Sequence, residues 1–422
     1  MQHLQTLGVL ADRLRAGSGI VIHSACSEPA RLASMLAAEA DAFKGAFVYS
    51  LMPMGQAPYG EAPACDALQI TTFFPGKGLR AAVNAGRASI LRHPLSAIPG
   101  LFDRRQIRAD VVLLQVAPPD ERGRVSLGLA VDYMHAVLRQ RPIVVAEINP
   151  KLPRTCGDSF IDTDCIDYFV EAEHEPQSVP LAAADDVDTR IAANVASLVP
   201  DGAVLQVGIG SLPDLVLARL SDRKHLGVHT GIITEAFRPL LESGVVDNSR
   251  KQQCRGVSVT TMAAGTQSFY DFLHRNCTIE FHPCSLTHDE DVLARIEGLT
   301  AINSGLQIDL SGRVNAEAVA GRIVAAPGGL PDFARGARRA PGGRSILAVR
   351  SSFKASSNVV GRLSADAPVT VAADDIDYVV TEHGTAALRN RSPVERAEAL
   401  IAIADPLHHS ALQRELSTWS PK

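Results

Sequence analysis

The amino-acid sequence predicts an α/β protein whose parallel-rich sheets form two related domains. Short, continuously apolar runs recur along the chain, which is typical of strands buried on both faces of a parallel sheet. Segments with helical periodicity fall between these runs, and two sequence blocks repeat in the same order in the two halves. The length of 422 residues agrees with this prediction, because a domain averages about 150 residues.

The predicted strands and helices alternate along the chain. Apolar runs predict strands at Ile20–Ile22, Val111–Leu114, Ile143–Val145, Val204–Val207 and Ile346–Val349. Apolar residues at helical spacing predict helices at Ala30–Ala40, Asp214–Leu220 and Val394–Ala404. This alternation favours a parallel sheet with helices on both faces.

Two repeated blocks indicate that the domains arose by duplication. Gly19–Pro29 resembles Gly202–Pro213, because each block has an apolar strand, a turn of small residues, a proline and an apolar helix. The two prolines align at an offset of 184 residues. Asp120–Val125 falls on Asp309–Val314 at an offset of 189 residues. Chance similarity between common strand–turn–helix units is the alternative.

The repeat also suggests where the domains meet. We place the N-terminal domain at residues 1–185 and the C-terminal domain at residues 186–422. The stretch Ala182–Asp188 is rich in alanine and aspartate, so we expect the hinge there.

Composition and charge exclude several classes of protein. Lys and Arg number 41 against 46 Asp and Glu, so a net charge of −5 does not favour nucleic-acid binding. No apolar run is long enough to span a bilayer, and the N-terminal segment carries charges where a signal peptide needs an apolar core. We therefore expect a cytoplasmic protein with neither a membrane nor a nucleic-acid partner.

Cysteine and histidine usage predicts neither a disulfide framework nor a metal site. The seven cysteines are scattered, odd in number and never spaced C-x-x-C. The tripeptide His282-Pro283-Cys284 joins two metal-ligating residue types, but no matching second half accompanies it.

The sharpest local motif runs from Gln206 to Asp214, where a strand ends in Gly208 and Gly210 before a helix that begins around Pro213. Glycines let the backbone approach a ligand, and a helix N-terminus favours negative charge. The third glycine of a dinucleotide-binding loop is replaced by Pro213, and no acidic residue follows at the ribose-binding distance. A tight strand-to-helix turn without a ligand is the alternative.

Two further segments can carry chemistry. The pair Gly328–Gly329 can expose backbone N–H groups as an oxyanion-type donor set, and Arg335 begins a basic cluster that can bind phosphate. Glu382 follows a predicted strand, where α/β proteins bind ligands. A solvated basic loop and a capped helix start are the respective alternatives.

Five blocks together resemble the acetyl-CoA hydrolase/transferase family, which includes 4-hydroxybutyrate CoA-transferases. They are Gly208–Pro213, Leu226–Thr230, Ala301–Leu310, Gly328–Ala337 and Val380–Gly384, in the family's order along nearly the whole chain. The resemblance implies two related α/β domains of the CoA-transferase type, with CoA held at their interface chiefly by the C-terminal domain. It also implies that CoA is a substrate rather than a bound cofactor, and that the protein is a homo-oligomer.

The resemblance raises a question about the catalytic residue. The family uses a glutamate nucleophile directly after a block like His229-Thr230, where this chain has Gly231. The itaconate CoA-transferase branch, which looks similar around Glu61, implies that Glu61 is the working glutamate. Glu235 is the second choice, because four residues make about one helical turn. A solvated loop acid and an ordinary carboxylate at a helix start are the alternatives for these two residues.

We assign binding of CoA and substrate to seven residues and expect no bound metal. The seven are Gly208, Gly210, Gly328, Gly329, Asp332, Arg335 and Glu382. Glu382 is expected to support the site through hydrogen bonds. The glutamine that usually follows the paired glycines is replaced by Leu330-Pro331, which points to a different acyl group.

The sequence thus predicts a CoA-transferase that acts on acyl-CoA and small carboxylic acids through a glutamyl-CoA thioester. Arg80, Arg87 and Arg92 can bind the second carboxylate of a dicarboxylic acid, which suits itaconate with succinyl-CoA or acetyl-CoA as donor. Ordinary surface arginines are the alternative. A thioesterase and a non-catalytic CoA-binding protein are the rival functions, and Gly231 keeps the second open.

Overall fold

The computed structural model describes residues 1–181 and 185–418, and in it the chain divides into two units. Unit 1 comprises Met1–Pro180, Val259–Thr287 and Ile323–Gly328, and unit 2 comprises the rest of the described chain. Each unit therefore draws on more than one segment of sequence. Residues 182–184 of the predicted hinge lie outside the described residues, and the boundary at 185/186 stays a prediction.

Unit 1 is built on an eight-stranded sheet in which every pairing is parallel. Its strands are β1 Gln2–His3, β2 Gly19–Ile22, β3 Phe47–Leu51, β4 Gln69–Phe74, β5 Ala88–Ile90, β6 Val111–Val116, β7 Ile143–Ile148 and β8 Tyr168–Glu171. They stand in the order β1-β8-β7-β6-β2-β3-β4-β5. The chain extends the sheet in one direction from β2 and later in the other from β6, so the topological switch point lies between β2 and β6.

Unit 2 is built on a six-stranded sheet that is parallel except for its last strand. Its strands are β9 Val204–Val207, β10 Gly227–Val228, β11 Leu299–Ser304, β12 Arg344–Ala348, β13 Tyr378–Thr381 and β14 Gly384–Ala387. The order β10-β9-β11-β12-β13-β14 places its switch point between β9 and β11.

Helices connect these strands. Those of eight or more residues in the described chain are α1 Ala30–Ala38, α2 Gly76–Asn84, α3 Asp186–Ala196, α4 Ser211–Ala218, α5 Leu330–Arg339, α6 Pro393–Ala402 and α7 His409–Ser417. Shorter α-helices cover Ala64–Ala67, Ile98–Asp103, Met134–Arg139, Arg238–Glu242, Gln267–Leu273, Cys284–Thr287 and Glu290–Leu293. Short strands outside the two sheets include Arg124–Ser126, Cys156–Gly157, Phe160–Asp162, Ile232–Thr234, Ser258–Thr260, Met262–Ala264, Ile279–Phe281, Gln307–Asp309 and Val314–Asn315.

The α/β class and the parallel-rich sheets predicted from the sequence are confirmed. The central strands β2 and β6 are buried at every position, which explains the apolar runs Ile20–Ile22 and Val111–Leu114. The predicted helix at Asp214 begins earlier, at Ser211, because Gly210 caps it with a φ of 136°. The predicted helices at Ala30 and Val394 correspond to α1 and α6.

The second repeated block forms the same turn in each unit. In unit 1, Asp120 Oδ1 accepts hydrogen bonds from the N–H groups of Arg122 and Arg124, both at 2.9 Å. In unit 2, Asp309 Oδ1 accepts from the N–H groups of Ser311 and Arg313, both at 3.1 Å. The glycine of each turn has a positive φ, 71° and 95° respectively, a conformation that side chains disfavour. The shared geometry supports the duplication.

Unit 1 contains one feature that the cysteine pattern did not predict. Cys156 and Cys277, which lie 121 residues apart in sequence, form a disulfide.

His282 contacts Asp158 and Glu280 through its two ring nitrogens, at 2.8 and 3.0 Å. Among the described residues no group of His, Cys, Asp and Glu is arranged to hold a metal, and no helix is long and apolar enough to cross a membrane.

Candidate active site

The glycine turn of unit 2 lies at the carboxyl end of β9, beside the switch point. Gln206 on β9 and Asn303 on β11 exchange two amide hydrogen bonds, at 3.1 and 2.8 Å, which lock the two strands together. Gly208 follows directly, and a Cβ there would stand 3.3 Å from Asn303 Oδ1. Gly210 then caps α4, so the N–H groups of the first turn of this helix lie at this edge of the sheet. The Gly208 N–H donates to the Ile302 carbonyl at 2.9 Å, and Ile209, between the two glycines, is exposed.

Gly231, in the loop after β10, has no side chain, and a buried histidine fills the space where one would lie. A Cβ on Gly231 would lie 2.6 Å from His288 Nε2, and a Cβ on Gly329 would lie 2.5 Å from the same atom. Both distances are shorter than real Cβ contacts, so the imidazole occupies the space that side chains at either glycine would need.

His288 is neutral at physiological pH. Burial lowers its pKa to about 3, with a smaller contribution from His229, since a second imidazolium nearby would be repelled. The ring packs edge-on against Phe333 of α5, with centroids 4.7 Å apart. His288 escaped the sequence analysis because its partners are distant in sequence, and only the glycines at 231 and 329 hinted at a bulky neighbour.

The predicted binding residues Asp332 and Glu382 are both shielded from solvent in unit 2. Asp332 is buried in the first turn of α5, where the helix dipole favours a negative charge. Glu382 follows β13 and accepts hydrogen bonds from the Ser351 hydroxyl at 2.7 Å and the Ser351 N–H at 3.0 Å. Its carboxylate is thus tied to the segment after β12, and its role in supporting the site stays a prediction.

The basic cluster that begins at Arg335 is balanced by acids. Arg335 forms ion pairs with Glu290 and, at 3.5 Å, with Asp375. Arg339 pairs with Asp291 at 3.0 Å. These pairs offset the positive charge on the exposed face of α5, so a phosphate at Arg335 would compete with the two carboxylates.

Gly328 is held in unit 1. Its carbonyl accepts a hydrogen bond from the Leu95 N–H at 2.9 Å, and its φ of 56° favours glycine. A Cβ at this position would lie 3.5 Å from Phe74, which is an ordinary van der Waals distance.

Glu61 lies at the end of a short 3-10 turn, Pro58–Gly60, in unit 1. The turn packs on α2 by close approach: a Cβ on Gly60 would collide with Leu79, and one on Gly78 would lie 2.9 Å from Ala57 Cβ. Glu61 itself is exposed. The loop is therefore fixed while the carboxylate faces solvent.

The three arginines proposed for a second carboxylate are all exposed. Arg80 stands on α2 directly after Leu79, which packs against the turn preceding Glu61. Arg87 and Arg92 flank strand β5.

The helical spacing predicted between Gly231 and Glu235 is wrong. Residues Ile232–Thr234 form a strand, so Glu235 lies about 13 Å along the chain from Gly231 instead of one helical turn away. Two consecutive isoleucines and a threonine favour a strand, a signal that was available in the sequence. The Thr234 hydroxyl donates to Asp214 Oδ1 at 3.0 Å, and burial raises the pKa of Asp214 to about 6.

Unit 1 holds a buried acid that sequence reasoning missed. Glu28, in the turn after β2, accepts hydrogen bonds from the Tyr59 hydroxyl at 3.1 Å and the Gly55 N–H at 3.2 Å. Burial raises its pKa to about 7, and the nearby Glu147 carboxylate adds to the rise. Glu147 in turn contacts His174 Nε2 at 2.6 Å.

Comparison with known proteins decides the family. The family model of the acetyl-CoA hydrolase/transferase N-terminal domain matches residues 2–181, and that of the C-terminal domain matches residues 265–416. The chain belongs to the acetyl-CoA hydrolase/transferase family.

Members of this family resemble the chain along almost its full length. A 4-hydroxybutyrate coenzyme A transferase of Clostridium kluyveri is 34% identical over 416 residues, covering 98% of this chain and 97% of that protein. A succinyl-CoA:acetate/propanoyl-CoA:succinate CoA transferase of Fasciola hepatica is 32% identical, covering 97% and 86%. The crystal structure of RipA from Yersinia pestis superposes with a TM-score of 0.92 at 30% identity, covering 99% and 97%. In reaction class this acetyl-CoA hydrolase/transferase family member is a CoA-transferase, with CoA as a substrate.

Proposed function

We propose that the enzyme moves CoA between small carboxylic acids through a glutamyl-CoA thioester formed on Glu61. The observation that carries this proposal is the pair Gly231 and His288: the first has no side chain, and the second fills the space that one would need. A carboxylate nucleophile must then come from elsewhere. Glu61 is suited to that role because its loop is fixed by packing while its carboxylate is exposed.

The chemistry is a series of acyl exchanges that balances without any other reactant. The Glu61 carboxylate attacks the thioester carbonyl of acyl-CoA, which gives a mixed anhydride and the CoA thiolate. The thiolate attacks the glutamyl carbonyl, which releases the first carboxylic acid as its anion and leaves a glutamyl-CoA thioester. The incoming carboxylate repeats the two steps in reverse, so that Glu61 is regenerated and a new acyl-CoA departs.

Backbone groups are suited to stabilising the negative charge that develops in each step. Gly210 and Gly329 have no side chain to shield their N–H groups, which fits donation to CoA phosphates or to a thioester oxygen. The Gly208 N–H instead donates to the Ile302 carbonyl at 2.9 Å, so the part proposed for Gly208 is to let a ligand approach the backbone. Gly328, Asp332, Arg335 and Glu382 complete the proposed binding set.

For the substrates we propose itaconate as acceptor and succinyl-CoA or acetyl-CoA as donor. Exposed Arg80, on the helix that supports the Glu61 loop, supports recognition of a second carboxylate. The Fasciola hepatica relative is named for succinyl-CoA and succinate, which are also dicarboxylic substrates. A cytoplasmic location and a homo-oligomeric state belong to the same proposal.

Matched variants test the nucleophile. Glu61→Gln should abolish CoA transfer from succinyl-CoA to itaconate, because an amide cannot form the anhydride. Glu235→Gln, the corresponding change at the second candidate, should retain transfer. Transfer that survives Glu61→Gln would refute the role of Glu61, and its loss in Glu235→Gln alone would move the nucleophile there.

A thioesterase, in which water takes the place of the acceptor, is the second candidate function, because the matching family models are named for hydrolases as well as transferases. This function needs no covalent glutamyl intermediate. Release of CoA from acyl-CoA at the same rate with and without added carboxylate would support it. Acceptor-dependent formation of a new acyl-CoA would support the transferase.

A further inference from the structure

The buried carboxyl of Glu28 touches the loop that carries Glu61 at two points. Its Oε1 accepts from the Tyr59 hydroxyl at 3.1 Å, and its Oε2 accepts from the Gly55 N–H at 3.2 Å. Gly55 and Tyr59 bracket the loop, and Tyr59 lies two residues before Glu61. One side chain therefore clamps both ends of the segment.

Glu28 is itself anchored to the sheet. Its main-chain carbonyl accepts from Gln115 Nε2 on β6 at 2.8 Å. Only 3% of the residue is exposed. The fit around the clamp is tight, since a Cβ on Gly55 would lie 2.7 Å from Glu28 Oε2 and 3.1 Å from Gln177 Nε2. The Glu28 hydrogen bonds thus add to the packing on α2 in holding the loop in place.

We propose that Glu28 is a positioning residue, whose ionised carboxylate clamps the Gly55–Tyr59 loop and thereby fixes the position of Glu61. The clamp stands on the geometry of unit 1, and its catalytic consequence rests on the proposed function of Glu61. An ionised carboxylate offers two full acceptors to two donors, whereas a protonated one has a hydroxyl oxygen that accepts poorly. Protonation therefore loosens one end of the loop.

The surroundings make this clamp sensitive to pH near neutrality. Burial raises the pKa of Glu28 to about 7, while the pKa of Tyr59 is raised well above its ordinary value and that of Cys26 to about 12. Neither the Tyr59 hydroxyl nor the Cys26 thiol changes charge below pH 8. Glu147 faces Glu28 from β7 and pairs with His174, whose pKa that contact raises. His174 is the other group here whose titration must be separated from that of Glu28.

Hydrogen exchange followed by mass spectrometry on the full-length protein tests the clamp directly. In the wild type, protection of the peptide spanning residues 52–61, corrected for intrinsic exchange, should be roughly tenfold greater at pH 8 than at pH 6. Glu28→Gln should abolish this difference, because an amide has no ionised form. His174→Gln, the matched control, should preserve it.

A second variant keeps the test decisive if Glu28→Gln fails to fold. Tyr59→Phe removes one donor without changing the ring, and should lower protection of residues 52–61 at pH 8. Unchanged protection in both variants at pH 8 would overturn the proposal, as would a pH response that disappears in His174→Gln.

The catalytic consequence has its own test. Glu28→Gln should lower kcat with little change in the KM for acyl-CoA, and Glu28→Asp, which restores a carboxylate, should recover part of the loss. If Glu61→Gln is fully active while hydrogen exchange gives the expected results for Glu28, the proposed function is refuted but the clamp is not. Intact kcat in a folded Glu28→Gln variant that has lost protection would refute the positioning role.

Discussion

The two switch points have the same topology but are filled with different chemistry. In unit 1 the turn after β2 carries Ser24, Cys26 and Glu28, and the acid is buried and hydrogen-bonded. In unit 2 the equivalent turn after β9 carries Gly208 and Gly210, which expose backbone. Parallel strands that diverge create a crevice at their carboxyl ends in both cases.

The difference shows that topology supplies the crevice while the turn residues decide its use. Both sheets place an amide at the switch point, Gln115 on β6 and Asn303 on β11. Gln115 binds the main chain of Glu28 and so supports a clamped loop, whereas Asn303 pairs with Gln206 on the neighbouring strand. Unit 1 is thus organised to hold a side chain in place, and unit 2 to offer N–H groups.

The largest expected effect is at Gly231 in unit 2, where the His288 imidazole fills the space that a side chain would need. Gly231→Glu should destabilise the protein by about 3 kcal/mol or more, because the new side chain overpacks His288 and brings a charge into a buried site. Urea denaturation measures the change. The double variant Gly231→Glu with His288→Ala should recover much of the stability, since the imidazole no longer occupies the space. If the Gly231→Glu variant alone kept wild-type stability, the imidazole would not be blocking a side chain at position 231.

The duplicated aspartate turn gives a direct comparison of the two units. The Asp309 side chain is fully buried and that of Asp120 is 19% exposed. Asp309→Ala should lower the free energy of unfolding by about 3 kcal/mol, because it leaves the N–H groups of Ser311, Arg313 and Leu363 without their acceptor. Asp120→Ala should lower it less, since water can replace part of what is lost. Equal losses in urea denaturation would show that the two turns are not distinguished by burial.

Glu28 should also impose a pH dependence on stability. Its pKa is about 7 when folded and about 4.5 otherwise, so the native state binds more protons than the unfolded state between these values. The Glu28 contribution to the free energy of unfolding therefore falls as pH rises from about 4.5 to 7 and is constant above that. Subtracting the curve of Glu28→Gln from that of the wild type isolates this contribution. A flat difference across the window would mean that Glu28 is ionised throughout it.

The smallest expected effect is at Arg335. Its side chain is 45% exposed and shares its charge with Glu290 and Asp375. Arg335→Gln should change the free energy of unfolding by less than about 1 kcal/mol. Calorimetric titration with CoA measures its proposed binding role separately. Unchanged affinity for CoA would remove Arg335 from the binding set.

The regular parts of the fold could be predicted because each rests on a local pattern. Buried strands such as β6 begin with an apolar run, Val111–Leu114, and α4 follows a glycine turn. The roles of His288 and Glu28 could not be predicted in this way. Their importance lies in contacts with residues far along the chain, and neither stands in a motif. The disulfide between Cys156 and Cys277 was hidden for the same reason.

The helical spacing assumed for Glu235 failed for a different reason. The residues between Gly231 and Glu235 are two isoleucines and a threonine, whose branched side chains favour a strand. Local propensity was sufficient there and was overlooked. The paired glycines at 328 and 329 were assigned to binding, which stays a prediction, and the collision with His288 that requires glycine at 329 becomes visible only in three dimensions.

We propose that the covalent intermediate forms on Glu61, because position 231 has no room for a nucleophile. Mixing the enzyme with succinyl-CoA, trapping with borohydride and mapping peptides by mass spectrometry tests it directly. Borohydride reduces a glutamyl thioester to an alcohol. We therefore expect the alcohol at Glu61 in the wild type and no such product in Glu61→Gln. The same change on Glu235 or another residue, or turnover of succinyl-CoA without any trapped residue, would contradict it.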